Sequence, residues 1–285
     1  MKNIKKKFKE FLDNFIKVIS RPEMAILPGQ LAFFFVLALV PTITLISYGA
    51  TFLNLSTDII FTFISNAFSS DIANLLLNAD STVIYGGFQF FVAIVVGYYI
   101  ASNGAASIIV TSNTIYGEKD SGFFYRRFKA LIMTFFLVLL FIFMLIVPVF
   151  GDKIIELINF VDLNPTITNR ITVIMTFLRG PVTWFIMFIF IKIIYTLAPN
   201  RKMKSKSVGY GALFTSFGWI LATYGYSYYI SHYANYTAFY GGLANLVILM
   251  LWFYVLAFIF TIGMALNYRK EEVELEKTGT LNLKN

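Results

Sequence analysis

Six stretches of this chain are long and predominantly apolar, at approximately 26–53, 86–110, 130–150, 171–196, 208–230 and 241–267. A helix rises 1.5 Å per residue, so about 20 such residues reach across the roughly 30 Å of hydrocarbon in a bilayer. No single water-soluble core shelters six runs of this length. Composition agrees: 58% of residues are apolar and 13% charged, with a mean hydropathy of +0.73, where a soluble domain has about 45–50% and about 25%. The expected fold is an all-α integral membrane protein with six transmembrane helices. The first stretch begins far from the N-terminus and lacks a small-residue cleavage site, so it is expected to be a retained helix and not a removed signal peptide.

The net charge of +8 would suggest nucleic acid if the basic residues shared a soluble face, but their distribution follows membrane topology. Of the 23 Lys and Arg, seven lie between Lys2 and Arg21. Lys119, Arg126, Arg127 and Lys129 follow the second stretch, Arg201, Lys202, Lys204 and Lys206 follow the fourth, and Arg269, Lys270, Lys277 and Lys284 follow the sixth. The alternate loops hold only Lys153 and Arg170, while Arg179 and Lys192 fall inside the fourth stretch. Both termini are therefore expected in the cytoplasm. A basic inner rim facing anionic headgroups accounts for the charge, with no nucleic-acid partner.

The chain divides into a cytoplasmic basic arm and interfacial helix (1–25), a six-span membrane domain (26–268) and a charged cytoplasmic tail (269–285) that is expected to be a frayed helix or disordered. In the arm, Phe8, Phe11, Leu12, Phe15 and Ile19 recur at helical spacing beside Lys5, Lys6, Lys7, Lys9 and Lys17, the pattern of a helix lying on the inner leaflet. After the first span, Phe61, Ile64, Phe68, Ile72 and Leu75 form a second apolar stripe, beside Asn66, Asn74 and Asn78. This predicts an outer amphipathic helix that either caps the bundle or dips into it as a re-entrant element.

Polar residues at membrane depth ask for an explanation, because arginine at a helix centre costs about 2.5–3.5 kcal/mol on insertion scales. Arg179 is the sharpest case, since none of the 15 Asp and Glu falls inside a span. It either snorkels to the outer headgroups or contacts an anion such as a lipid phosphate, for which guanidinium offers paired donors. Arg179-Gly180-Pro181 also reads as a break between an interfacial segment and the spanning helix, and Pro41 as an interruption of the first. Gln30, Asn103, Asn113, Asn245 and Asn267 can bridge helices, with Gly97, Gly104, Gly218, Gly241 and Gly242 allowing close approach. The same amides can instead line a polar path. The expected binding residues are Arg179 for phosphate, with Gln30, Asn103 and Asn245 along the path.

Enzyme signatures are missing. The chain has no Cys, one His, no carboxylate pair at membrane depth and no phosphate loop, so no catalytic residue, metal or cofactor is expected. His232 sits among Tyr224, Tyr226, Tyr228, Tyr229, Tyr233, Tyr236 and Tyr240, best read as an interfacial aromatic belt. Asp152, Glu156 and Asp162 read as a solvated acidic loop.

Several motifs together resemble the YihY/BrkB family of bacterial inner-membrane proteins. They are Pro28-Gly29-Gln30-Leu31-Ala32-Phe33-Phe34 leading to Leu39-Val40-Pro41, Asn113-Thr114-Ile115-Tyr116, Tyr195 through Pro199, Gly211-Ala212 followed by Trp219, Tyr240-Gly241, Trp252-Phe253-Tyr254 and Gly263 through Asn267. The resemblance implies a multi-pass plasma-membrane protein of a family linked to serum resistance. That family once carried the label ribonuclease BN, and its members have been proposed to move lipids or lipid-linked glycans. Many members have an acidic residue where this chain has Ala265, so a proton-coupled mechanism is not implied here. The leading expectation is a protein that binds, and translocates, an anionic lipid or lipid-linked envelope precursor. The alternative is a non-transporting scaffold, and a ribonuclease stands last. Membrane lipids are the expected partners, and homo-oligomerisation is compatible with either leading reading.

Overall fold

The computed structural model describes residues 13, 15–52, 61, 65, 88–140, 165–232, 240 and 244–277, and every regular element among them is an α-helix. Helix α1 is Glu23–Phe52, α2 is Phe88–Tyr116, α3 covers 123–140, α4 is Pro165–Leu197, α5 is Gly209–His232 and α6 is Ala244–Lys277. Apart from Val208, a turn residue, the described residues of each of the six apolar stretches are thus helical. Three segments among the described residues are long and apolar enough to cross a membrane: Ile94–Tyr116, Gly180–Leu197 and Leu246–Glu272. Glu23–Leu39 of α1 is apolar but shorter.

Two expectations about proline are corrected. Helix α4 continues through Arg179-Gly180-Pro181, and α1 continues through Pro41. Each proline deletes one backbone donor, but a helix in lipid keeps its remaining backbone bonds because no solvent competes for them. Of the tail, residues 269–277 continue α6, and residues 278–285 lie outside the described residues. Residues 15–19 are helical, with Val18 buried and Phe15 packed 6.0 Å from Phe214. Apart from helical Asp13, the rest of the expected arm helix lies outside the described residues. So does the outer amphipathic stripe, apart from helical Phe61 and Ser65, whose hydroxyl donates to the Phe61 carbonyl at 2.7 Å. Asp152, Glu156 and Asp162 are also outside them.

The chain divides into two compact units, Met1–Ala38 with Ser102–Met133 and Ile191–Asn285, and Leu39–Ala101 with Thr134–Phe190. In the second unit Trp184 stacks on Phe188 with centroids 6.0 Å apart, and Pro41 packs beside Gly97. The first unit is built on an antiparallel pair, α5 and α6. Their register descends from Gly211 beside Gly263 and Asn267, through Gly218 beside Ile259 and Trp219 donating to the Leu256 carbonyl, to Tyr226 donating to the Ile248 carbonyl. A Cβ at Gly211 would overlap the Gly263 carbonyl, so the two backbones touch there. Small residues set this distance because lipid provides no hydrophobic drive between helices, leaving close packing to hold them.

Helix α4 closes onto this pair through Tyr195. Its buried hydroxyl lies 2.6 Å from the Phe260 carbonyl and 2.7 Å from the Thr215 hydroxyl. A carbonyl only accepts, so Tyr195 donates to Phe260 and Thr215 donates to Tyr195. Asn267 accepts the Gly211 N–H at 2.6 Å, satisfying one of the donors that the first turn of α5 leaves open.

Candidate functional site

The site begins with the way α2 ends. Gly117 has φ 64°, the Gly117 N–H reaches the Thr114 carbonyl at 3.3 Å, and the Glu118 N–H reaches the Asn113 carbonyl at 2.8 Å. This paired closure needs a left-handed residue after the last turn, which glycine supplies without a Cβ penalty. A second left-handed glycine, Gly122 at φ 88°, precedes α3 and sends it back along α2. The turn brings Arg127 over Asn103, 24 positions earlier, where the guanidinium Nη1 donates to the amide Oδ1 at 2.9 Å.

Around this contact lies a cleft of about 300 Å³. Gln30 and Phe34 of α1 line it, with Asn103, Ala106, Ser107 and Val110 of α2 and Phe123, Arg126 and Arg127 of α3. Its volume is at the lower end of the range for small-molecule sites, about 300–1,000 Å³. Arg126 also pairs with Asp120. Because the Asn103 oxygen accepts from Arg127, its NH2 group is turned away and keeps two donors for other partners. Ser107 stands one helical turn on, only 2% exposed, and its hydroxyl has no hydrogen-bond partner among the described residues. Asn103 lies roughly 20 Å along the helix from Tyr116. Asn103 thus lies within the apolar segment Ile94–Tyr116, while Arg126 and Arg127 reach toward it from the first turns of α3.

Of the expected binding residues, Gln30 and Asn103 share this cleft. Arg179 belongs to α4 and the second unit, and Asn245 to the first turn of α6 and the first unit, while their side chains lie outside the described residues. Arg126, Arg127 and Ser107 are site residues that the sequence reading did not select. The two arginines had been absorbed by the topology rule, and Gly117 and Gly122 were the available signal that α3 folds back on α2.

A second polar group gathers the four basic segments at one end of the first unit. The Arg201 guanidinium lies 4.5 Å above the Tyr116 ring and 5.9 Å from that of Tyr268, and pairs with Glu271. Glu118 is 3.9 Å from Arg201, and Glu272 pairs with Arg21 at 3.3 Å and Arg269 at 3.1 Å. Asn113 accepts the Asn200 N–H at 2.9 Å. Lys129 reaches the carbonyls of Ala198 and Pro199 at 2.8 and 2.7 Å, and burial pulls its ammonium down to about 8. These contacts hold segments together. Among the described residues no cluster of three or more His, Cys, Asp or Glu could hold a metal ion.

Comparison with known proteins adds to this geometry. A family profile described as "Virulence factor BrkB" matches residues 15–282. The chain is similar to the ribonuclease-like protein YfkH of Bacillus subtilis, 29% identical over 244 residues that cover 84% of this chain and 87% of that one. It is also similar to a UPF0761 membrane protein of Idiomarina loihiensis, 34% identical over 100 residues, and to one of Haemophilus influenzae, 32% identical over 91; these cover about a third of each chain. No solved structure matches it. With the profile spanning nearly its whole length and three helices among the described residues long and apolar enough to cross a membrane, the chain is a helical membrane protein of the BrkB family.

Proposed function

We propose that this protein crosses the bacterial plasma membrane six times with both termini in the cytoplasm, and that it binds and moves an anionic lipid or lipid-linked envelope precursor. The observation that carries the reading is the cleft in which Arg127, Asn103, Gln30 and Ser107 converge between apolar walls. Guanidinium and amide donors suit a phosphate, and Phe34, Val110 and Phe123 suit the apolar body attached to it. The convergence of the arm, the 117–122 turn, the 198–208 loop and the end of α6 at Arg201 and Arg21 supports one common side for the basic segments. Arg179 on α4 stays a candidate phosphate contact.

The test is mass spectrometry of lipids that remain with the protein extracted in native membrane nanodiscs, for wild type, Arg127→Gln, Asn103→Ala and Arg179→Ala. One anionic class should be enriched by the wild type and lost in Arg127→Gln. Lipid that mirrors the bulk membrane in every sample refutes the reading. A scaffold is the second reading, favoured by Tyr195, Asn267 and Lys129, whose bonds join helices and loops. Under it, Asn103→Ala lowers thermal stability and leaves lipid content unchanged. The protein is read as non-catalytic, and the ribonuclease-like name belongs to YfkH. Metal-dependent RNA cleavage by highly purified protein would be needed to extend that activity here.

A further inference from the structure

The lining of the cleft has a chemical bias that goes beyond negative charge. Its polar groups are two guanidiniums, two carboxamides and one hydroxyl, with no carboxylate among them. An ammonium headgroup would find no carboxylate among the lining residues and would face Arg127, with Arg126 already paired to Asp120. A bare phosphate would leave most of about 300 Å³ unfilled and use mainly the arginines. The Ser107 hydroxyl and the Asn103 NH2 remain, one turn apart on the same face of α2, the first buried without a partner among the described residues and the second turned from Arg127. A hydroxyl that both donates and accepts, beside an amide that donates, is the natural complement of an alcohol, and an unpartnered buried hydroxyl costs stability until such a partner arrives.

Resting on the anionic-lipid reading above, we infer that the cleft takes a phosphodiester whose headgroup carries hydroxyls, a glycerol or sugar phosphate. Arg127 holds the phosphoryl oxygens while Ser107, Asn103 and Gln30 read the headgroup alcohols. Ser107 is the specificity-determining residue, because its hydroxyl is the buried group that an alcohol satisfies and a bare phosphate does not.

The experiment places the full chain in nanodiscs containing phosphatidylglycerol, phosphatidate and phosphatidylethanolamine with identical acyl chains, and reads the lipid retained by native mass spectrometry. Phosphatidylglycerol should be favoured over each of the others by about tenfold, and Ser107→Ala should cut that preference about five- to tenfold, the worth of one hydrogen bond. The variant removes an unpartnered hydroxyl, so its thermal midpoint should not fall, which separates loss of recognition from loss of fold. Displacement by soluble glycerophosphoglycerol at matched concentration identifies a free diester as the source, and resistance identifies the lipid; both outcomes sustain the headgroup chemistry. Equal retention of phosphatidate and phosphatidylglycerol, with no response to Ser107→Ala, overturns this inference while leaving anionic-lipid binding intact. Indifference to all three lipids refutes the broader reading instead.

Discussion

Replacing Tyr195 by Phe removes one oxygen from the meeting point of α4, α5 and α6 and leaves the ring in place. Two hydrogen bonds go with it, the one donated to the Phe260 carbonyl at 2.6 Å and the one accepted from Thr215 at 2.7 Å. Interhelical bonds in membrane proteins average about 0.6 kcal/mol and reach about 1.7. Both contacts here are short and fully buried, and the Thr215 hydroxyl is left without its acceptor, so the expected loss is about 1–2 kcal/mol. Thr215→Val should cost less, about 0.6 kcal/mol, because Tyr195 still donates to Phe260. The double variant should cost no more than Tyr195→Phe alone, since removing Thr215 also removes the orphaned hydroxyl. That non-additivity, about 0.5 kcal/mol or more, is the signature of a shared bond. Reversible unfolding in mixed detergent micelles, with SDS as denaturant, measures all four proteins. A Tyr195→Phe protein within about 0.3 kcal/mol of wild type, or two single changes that simply add, would refute the assignment.

At Gly211, alanine should destabilise by about 1–3 kcal/mol, because its Cβ meets the Gly263 carbonyl and the Asn267 side chain. Gly225→Ala, with open space around it, should be neutral or slightly stabilising, and thermal midpoints of the two compare directly. Arg201→Lys keeps the charge but loses the planar group over Tyr116 and Tyr268, so a fall of about 1 kcal/mol is expected by the same unfolding assay. Lys129 releases its proton near 8 in the folded chain and near 10.5 when unfolded, so the unfolded state binds more protons between those values. Stability should therefore rise with pH across that window in wild type, and this component should be missing from Lys129→Met when melting is followed from pH 7.5 to 10.5.

The positions of the helices were legible because a bilayer imposes a length and an apolar content that a local run of residues either meets or fails. Gln30 and Asn103 were legible for a related reason, as amides in lipid must find partners. Arg127 was not. Its role depends on a turn closed by Gly117 and Gly122 that carries it back over a residue 24 positions earlier, and a rule that counts basic residues by loop assigns it to topology alone. Ser107 was hidden among many helical serines, most of which bond to their own backbone. The reading of Pro41 and Pro181 as breaks carried a rule for helices in water into a medium that does not compete for backbone bonds. Tyr195 was quoted only as part of a motif, and its partners Thr215 and Phe260 lie 20 and 65 positions away.

The backbone contact between Gly211 and Gly263 has a mechanical consequence. A seam padded by long side chains can slide, each rotamer yielding in turn. Here the carbonyl of one helix sits where the other has no Cβ, Asn267 is bonded to the Gly211 N–H, and Ile259 fills the notch at Gly218. Shearing α5 along α6 by one residue would break that bond and drive side chains into the notches, so the pair has no low-energy intermediate register. Whatever motion this membrane domain undergoes, α5 and α6 travel through it as a single stiff beam.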